Sequence, residues 1–275
     1  MRGLAPSTPI VVLSGQRDAE FEAEVLEAGA QDYLVKGEFD SEYISRAIRH
    51  ARTRARLEAR LKLQDAEIRQ LAFYDALTKL PNRRLLLDRL QQALAASGRN
   101  HRAGALLFID LDDFKGLNDT LGHDVGDLLL IQVAQRLVEC VREGDTVSRL
   151  GGDEFVVMLE DLSGSLEEAV LQAEAVGEKI IAALNRPYDL NGNEQRSTPS
   201  IGITLFNTAH DSIDDLLKRA DLAMYQAKEA GRNTLRFFDH AMQARVEARA
   251  VLDAELRCGM RAGQFLLHYQ PQVDG

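Results

Sequence analysis

"SRLGGDEFVVMLED", residues 148–161, sets two acids, Asp153 and Glu154, between a glycine pair and an apolar run. Val147 and Leu150 stand before Gly151-Gly152, and Phe155 to Leu159 follow the acids. Apolar runs on both sides of a glycine pair predict a β-hairpin, with the glycines supplying the positive φ of its turn. Taken alone, the acids read as a solvated turn. A third carboxylate presented in the same way gives them a chemical use. In "ALLFIDLDDFKGLNDTLGHDVGD", residues 105–127, Ala105–Ile109 is an apolar strand and Asp110 arrives where the strand still reads as buried. Asp112 and Asp113 follow in a turn. A strand-end acid beside a hairpin-tip acid suits magnesium, whose remaining ligands come from substrate phosphates. Such an ion stabilises charge that develops in phosphoryl or nucleotidyl transfer. Glycines beside it let a triphosphate approach the backbone closely.

The bulk properties narrow the partners. A chain of 275 residues suggests one or two domains. Its formal charge of −10 argues against general nucleic-acid binding, though not against a polyanion held through a metal. Cys140 and Cys258 stand far apart without a second pair, so neither a disulfide framework nor a zinc site is indicated. No apolar run approaches the ~20 residues of a membrane span, and "PIVVL" is too short for a signal-peptide core. A cytoplasmic setting without membrane contact is expected.

Outward from the acids, four segments are expected: 1–43, 44–74, 75–240 and 241–275. The first alternates short buried strands ("PIVVLSG", "QDYLVKG") with helices, a parallel α/β pattern with too few strands to close a sheet. From Ile44 to Leu71 there is neither glycine nor proline. Apolar positions there step by fours and threes through 44, 48, 51 and 55, then 57, 61, 68 and 71, with Gln64 as the polar exception. That is a coiled-coil seam with a phase slip near Arg56. Its many arginines read as a solvated helix surface. "DALTKLPNR" (75–83) is expected to end this helix at Pro81, with Asn82 capping the next and Asp75 pairing with Arg83. The middle segment reads as helix 83–97, strand 104–111, helix 125–142, strands 146–150 and 154–159, helix 166–185, strand 197–206, helix 213–230 and strand 234–238. Paired strands around the glycine turn, with long helices elsewhere, predict an α+β domain with a mostly antiparallel sheet.

"RLGGDEF", "FIDLDDFK", "LNDTLGHDVGD" and "ADLAMYQAKEAGRN" together resemble the GGDEF domain of diguanylate cyclases, over about residues 72–239. The resemblance implies a nucleotide-cyclase and polymerase-palm type of fold. It also implies condensation of two GTP into cyclic di-GMP with release of pyrophosphate, in a homodimer of half-sites using Mg²⁺, or Mn²⁺ in its place. Carried over by position, Asp110, Asp153 and the Leu111 carbonyl would bind the metal. Glu154 would assist the metal or take a proton from the attacking hydroxyl. Asn118 and Asp127 match guanine-reading positions, where a carboxylate can accept from N1–H and N2–H. His123 lies in the same element. Lys115 matches a position that stabilises the pentavalent phosphate, and Lys228 and Arg232 match the cations on the triphosphate. Arg142 and Asp145 form an R-x-x-D that matches the family's inhibitory product site. Read without the resemblance, Asn118 and Asp127 could be helix caps, Lys228 and Arg232 cations at a helix C-terminus, and Arg142 and Asp145 a structural pair.

Two flanking resemblances are partial. Residues 8–50, with Ser14 and Lys36 after successive strands, resemble the second half of a response-regulator receiver domain. Gly37 stands where proline is usual there, and the phosphoacceptor half is not in the sequence. "LRCGMRAGQFLLHYQPQVD" is similar to the entry of an EAL phosphodiesterase domain. An alternative follows: a catalytically silent module that binds GTP or cyclic di-GMP and regulates a phosphodiesterase neighbour.

Overall fold

The structure, a computed structural model, describes residues 9–15, 18–37, 40–207 and 212–239, with single helical positions between 248 and 261. The stretch that resembles an EAL entry lies largely outside the described residues. The chain divides into two compact units, Met1–Ala72 and Phe73–Gly275.

In the first unit, β1 (Val11–Ser14) and β2 (Asp32–Val35) pair in parallel through the crossover helix α1 (Ala19–Glu27), as the alternation predicts. Asp18 caps α1 by accepting from the backbone N–H of Glu20 and Phe21. The seam from Ile44 to Leu71 lies within one element, α2 (Ser41–Phe73). Asp40 receives the Tyr43 N–H at 2.7 Å at its start. The phase slip near Arg56 does not interrupt it. Ala47 and Ala51 are buried, whereas Leu57, Leu61, Ile68 and Leu71 are each more than half exposed.

Pro81 is not what ends α2. The helix stops at Phe73, well upstream. Asp75 accepts from the Thr78 N–H at 2.8 Å and the Thr78 hydroxyl at 2.7 Å, closing a side-chain turn that competes with helix. Lys79 takes a left-handed φ of 61° in this turn, the conformation in which glycine is cheapest. Asn82 then caps α3 (Arg83–Asn100) through the Arg84 and Leu85 N–H groups, as expected.

The second unit is the predicted α+β domain. Five strands, β3 (Gly104–Leu111), β4 (Thr146–Gly151), β5 (Glu154–Leu159), β8 (Pro199–Phe206) and β9 (Thr234–Phe237), run in the order β4-β5-β3-β8-β9. Only β8–β9 is parallel; the other neighbours are antiparallel. One face carries a core with residues of α5 (His123–Cys140) and α6 (Leu166–Leu184), and the other packs α3 and α7 (Ile213–Glu229).

Two elements go beyond those expected from the sequence. Residues 114–121 form their own helix, α4 (Phe114–Leu121), and Gly122 at φ 87° separates it from α5. A hairpin of β6 (Tyr188–Leu190) and β7 (Asn193–Gln195) turns at Asn191-Gly192, both at positive φ. That Asn-Gly pair is the strongest short hairpin signal a sequence carries. Among the described residues, no helix is long and apolar enough to cross a membrane.

Gly202 in β8 decides how closely α7 lies on the sheet. A Cβ there would come within 2.0 Å of the Ala220 carbonyl oxygen and 2.1 Å of the Met224 nitrogen, both α7 backbone atoms. Gly202→Ala is therefore expected to destabilise the domain by about 2–3 kcal/mol, since helix backbone cannot rotate away. Urea denaturation checks this, and an unchanged midpoint would contradict it.

Candidate active site

Strand alternation places the acids. Along β3, Ala105, Leu107, Ile109 and Leu111 enter the core shared with α5 and α6, while Leu106 and Phe108 face α3 and α7. Asp110 falls on the second face, where an apolar residue would continue the core, and is only 8% exposed. Along β5, Val156 and Met158 share that face, and therefore so does Glu154. The register pairs Asp110 directly with Glu154. Opposed side chains on one face of an antiparallel pair have Cβ atoms about 5 Å apart, and like charges there repel. The β4–β5 turn, with Gly151 at φ 150° and Gly152 at φ 52°, sets half-buried Asp153 beside them.

The electrostatics follow from this crowding. Burial raises the Asp110 pKa; an ion-paired hydrogen bond from Lys228 opposes the rise, and the charges of Asp153 and Asp112 add to it, leaving the carboxyl above its ordinary value. Glu154 is also raised, first by burial and then by Asp110, Asp221 and Asp153. Lys228, in the last turn of α7, places Nζ 2.7 Å from Asp110 Oδ1. It is thus no mere complement to a helix dipole. Asp221 lies seven residues before it, about two helical turns, and so on the same face. The sequence reading did not single Asp221 out, although its spacing from Lys228 was visible.

These residues fit a divalent cation. The donors are hard oxygens that repel one another, and a side-chain ammonium already supplies positive charge at Asp110. The Asp112 N–H donates to the Thr198 carbonyl on the β8 side at 2.8 Å. By strand alternation the Leu111 carbonyl therefore faces the β5 side, where the ladder has ended at Glu154. Among the described residues no group of three or more His, Cys, Asp or Glu is placed to hold a metal ion by itself. Magnesium commonly takes one or two protein carboxylates and completes its shell with water and phosphate.

Asp112, close in sequence to Asp110, has another task. Its carboxylate accepts from the Thr198 hydroxyl at 2.6 Å, the Ser200 hydroxyl at 2.7 Å and the Asn233 N–H at 3.1 Å. It ties the end of β3 to β8 and to the turn after α7. Arg149 fixes the glycine turn. Its Nε and Nη2 donate to the Gly152 carbonyl at 3.0 and 2.7 Å, and Nη1 meets Asp75 Oδ1 at 3.0 Å. The expected partner of Asp75 was Arg83; the ion pair is with Arg149, because the turn at 75–81 lies against β4 through Arg149 N–H to Pro81 carbonyl, 3.0 Å. Burial would raise the Asp75 carboxyl, but Thr78 and Arg149 together outweigh it and hold it below its ordinary value.

The remaining matched residues divide. Asn118 is half-buried on α4, and its Oδ1 is buried with no hydrogen-bond partner. It lies against Gly126, where any Cβ would collide with that oxygen. An orphaned acceptor is satisfied by an N–H donor, which a guanine edge offers. Neither Asn118 nor Asp127 caps a helix: α4 and α5 have no side-chain cap. Lys115, His123, Asp127 and Arg232 are exposed. The structure brings together Asp110, Asp153, Glu154 and Lys228, and none of these four exposed side chains joins them by hydrogen bond or ion pair.

Arg142 and Asp145 do pair, Nε to Oδ1 at 3.4 Å. The Asp145 carboxylate also accepts from the Arg142 and Glu160 N–H groups, and Arg142 Nη2 donates to the Glu160 carbonyl. As found, the pair braces the turn between α5 and β4.

The raised Glu154 carboxyl generates a pH prediction. Its native state holds a proton more readily than its unfolded state, so it lowers stability above its folded pKa, and that loss is relieved as pH falls through it. Metal-free Glu154→Gln is expected to melt about 1–3 °C above the parent at neutral pH. The gap should close as the pH is lowered through the raised folded value. Thermal melts across pH check this, and a less stable variant at neutral pH would contradict it.

Comparison with known proteins agrees with this architecture. The family model described as "Diguanylate cyclase, GGDEF domain" matches residues 72–234, more than half of the chain. The chain is 44% identical over 226 residues to the bifunctional diguanylate cyclase/cyclic di-GMP phosphodiesterase MucR of Pseudomonas aeruginosa, covering 80% of this chain and 32% of MucR. It thus spans about a third of that relative's length. The crystal structure of the GGDEF domain of TpbB (YfiN) from Pseudomonas aeruginosa is 39% identical, with a TM-score of 0.54, over 58% of this chain and 97% of that one. The coiled coil and GGDEF domain of DgcB from Caulobacter crescentus, in complex with c-di-GMP, gives 28% identity and a TM-score of 0.61, over 69% and 97%. With its strand-end acid, its acidic glycine turn and its α+β sheet, this chain belongs to the GGDEF-domain family.

Proposed function

We propose that this chain is a magnesium-dependent diguanylate cyclase. The observation that carries the reading is the direct opposition of Asp110 and Glu154, with Asp153 beside them and Lys228 supplying positive charge. Three carboxylates with one ammonium among them are only partly compensated, and a phosphate-bound cation gives such a cluster a use. Asp110, Asp153 and the Leu111 carbonyl would hold Mg²⁺, or Mn²⁺, which when bound neutralises phosphate charge and favours the alkoxide of the attacking sugar. Lys115, Lys228 and Arg232 would bind the triphosphate, and Asn118, Asp127 and His123 the nucleoside.

The 3′-oxygen of one GTP attacks the α-phosphorus of the other, and the bond to the β-phosphate oxygen breaks. Pyrophosphate leaves with that electron pair, and Glu154, its carboxyl raised above the ordinary value, suits acceptance of the hydroxyl proton. The exchange repeated with roles reversed closes the ring. Two equivalent bonds call for two half-sites facing across a two-fold axis, hence a homodimer. The exposed row of Leu57, Leu61, Ile68 and Leu71 on α2 supports a helix pair. Binding of product at Arg142 and Asp145 would require the guanidinium to leave the Glu160 carbonyl. We place the protein in the cytoplasm, with a partial receiver-like segment before the cyclase domain and the start of an EAL domain after it. The name of NbdA of Pseudomonas aeruginosa, a cyclic di-GMP phosphodiesterase 37% identical over 206 residues, favours a second reading: a silent module that binds GTP or cyclic di-GMP and regulates a phosphodiesterase.

Incubation with GTP and Mg²⁺ separates the two. Cyclic di-GMP and pyrophosphate are expected; binding without turnover would favour the module. Asp110→Asn and Asp153→Asn should each lower turnover at least about a hundredfold while leaving the fold intact. Wild-type turnover in either variant at saturating Mg²⁺ would contradict the assignment. Specific activity should also fall on dilution, and further when Leu61 and Ile68 become charged. Activity unchanged down to a demonstrated monomer would contradict the half-site arrangement.

A further inference from the structure

Lys228 bears on the order in which the site fills. Its ammonium lies 2.7 Å from Asp110 Oδ1 in the ligand-free chain. That oxygen belongs to the carboxylate a cation would need first. Removing either charge leaves the other exposed to a crowded field. Asp110 is buried opposite Glu154 and near Asp153, whereas Lys228, about a third exposed, sits at the solvent end of α7 on a long flexible stem. Of the two, the lysine is free to move.

Building on the diguanylate cyclase reading, we propose that the site accepts its divalent cation as a preformed complex with the triphosphate. Lys228 occupies Asp110 until phosphate oxygens draw it away. A bare cation must displace the ammonium into water with no anion to receive it, or else two positive charges crowd one carboxylate. A metal–triphosphate complex brings the acceptor with the metal: the ammonium passes from carboxylate to phosphate oxygen, and Asp110 passes from ammonium to metal. Charge stays balanced at each exchange, and no buried group is left unpaired. Lys228 is thereby a counter-ion to Asp110 before substrate arrives and a phosphate ligand afterwards.

The test uses the whole chain, Mn²⁺ and a GTP analogue with a methylene between the α- and β-phosphorus. Free Mn²⁺ is read by its paramagnetic resonance signal, without turnover, so the result stands apart from whether the chain makes cyclic di-GMP. Without nucleotide, Lys228→Met is expected to bind Mn²⁺ about tenfold or more tightly than the parent, because a positive charge has left the site. Lys228→Arg, which keeps the charge, should bind as weakly as the parent. With the analogue present, Lys228→Met should bind the Mn²⁺ complex about tenfold more weakly than the parent. In the Asp110→Asn, Lys228→Met double variant, the tightening should vanish. Equal or weaker nucleotide-free Mn²⁺ binding by Lys228→Met overturns the proposal. So does tightening by Lys228→Arg, or tightening that survives loss of Asp110.

Discussion

Two carboxylates, Asp110 and Glu154, face each other across adjacent antiparallel strands at the end of a hydrophobic sheet. Everything near them can be understood as a response to that repulsion. Apolar neighbours at Leu106, Phe108, Val156 and Met158 fix the face on which both acids must lie, so neither can turn away without breaking the register. The sheet therefore holds the repulsion in place. Lys228 relieves part of it; burial first, and then neighbouring carboxylates, leave both carboxyls above their ordinary values. Such a site favours a small, highly charged cation over any neutral ligand.

Holding like charges together requires stiff surroundings, and two polar networks supply them. Asp112 gathers Thr198, Ser200 and the Asn233 N–H, locking β3 to β8 and to the turn that follows α7. Arg149 spans from Asp75 to the Gly152 carbonyl, so the signature turn is fastened to the segment that follows α2. Gly202 contributes by absence: without a Cβ it lets α7, and hence Lys228, lie close to the strand ends. Each device acts on the position of the same few atoms.

Much of this was legible in the sequence. The hairpin, the buried strand before Asp110, the cap at Asn82 and the α+β class follow from period, glycine placement and capping chemistry. What was not legible depends on contacts between distant segments. Composition cannot say that Asp75 meets Arg149 rather than Arg83, since that depends on how the turn at 75–81 lies on β4. Nor can it give Asp112 its partners, Thr198, Ser200 and the Asn233 N–H, which come from segments far along the chain. The Asp75 side-chain turn closes directly after α2, ahead of Pro81. The short helix at 114–121 was hidden by Gly116 and Asn118, residues that locally read as turn. Asp221 could have been found from its two-turn spacing to Lys228, but only once Lys228 was known to face the acids.

The central claim is that the opposed acids exist to hold a cation against substrate phosphate. Anomalous scattering from a crystal grown with Mn²⁺ and a non-reacting GTP analogue tests it most directly. The account predicts a manganese peak bounded by the Asp110 and Asp153 carboxylates, the Leu111 carbonyl and the phosphates. A nucleotide bound in the site with no manganese at Asp110, or with manganese bound elsewhere on the chain, would contradict it.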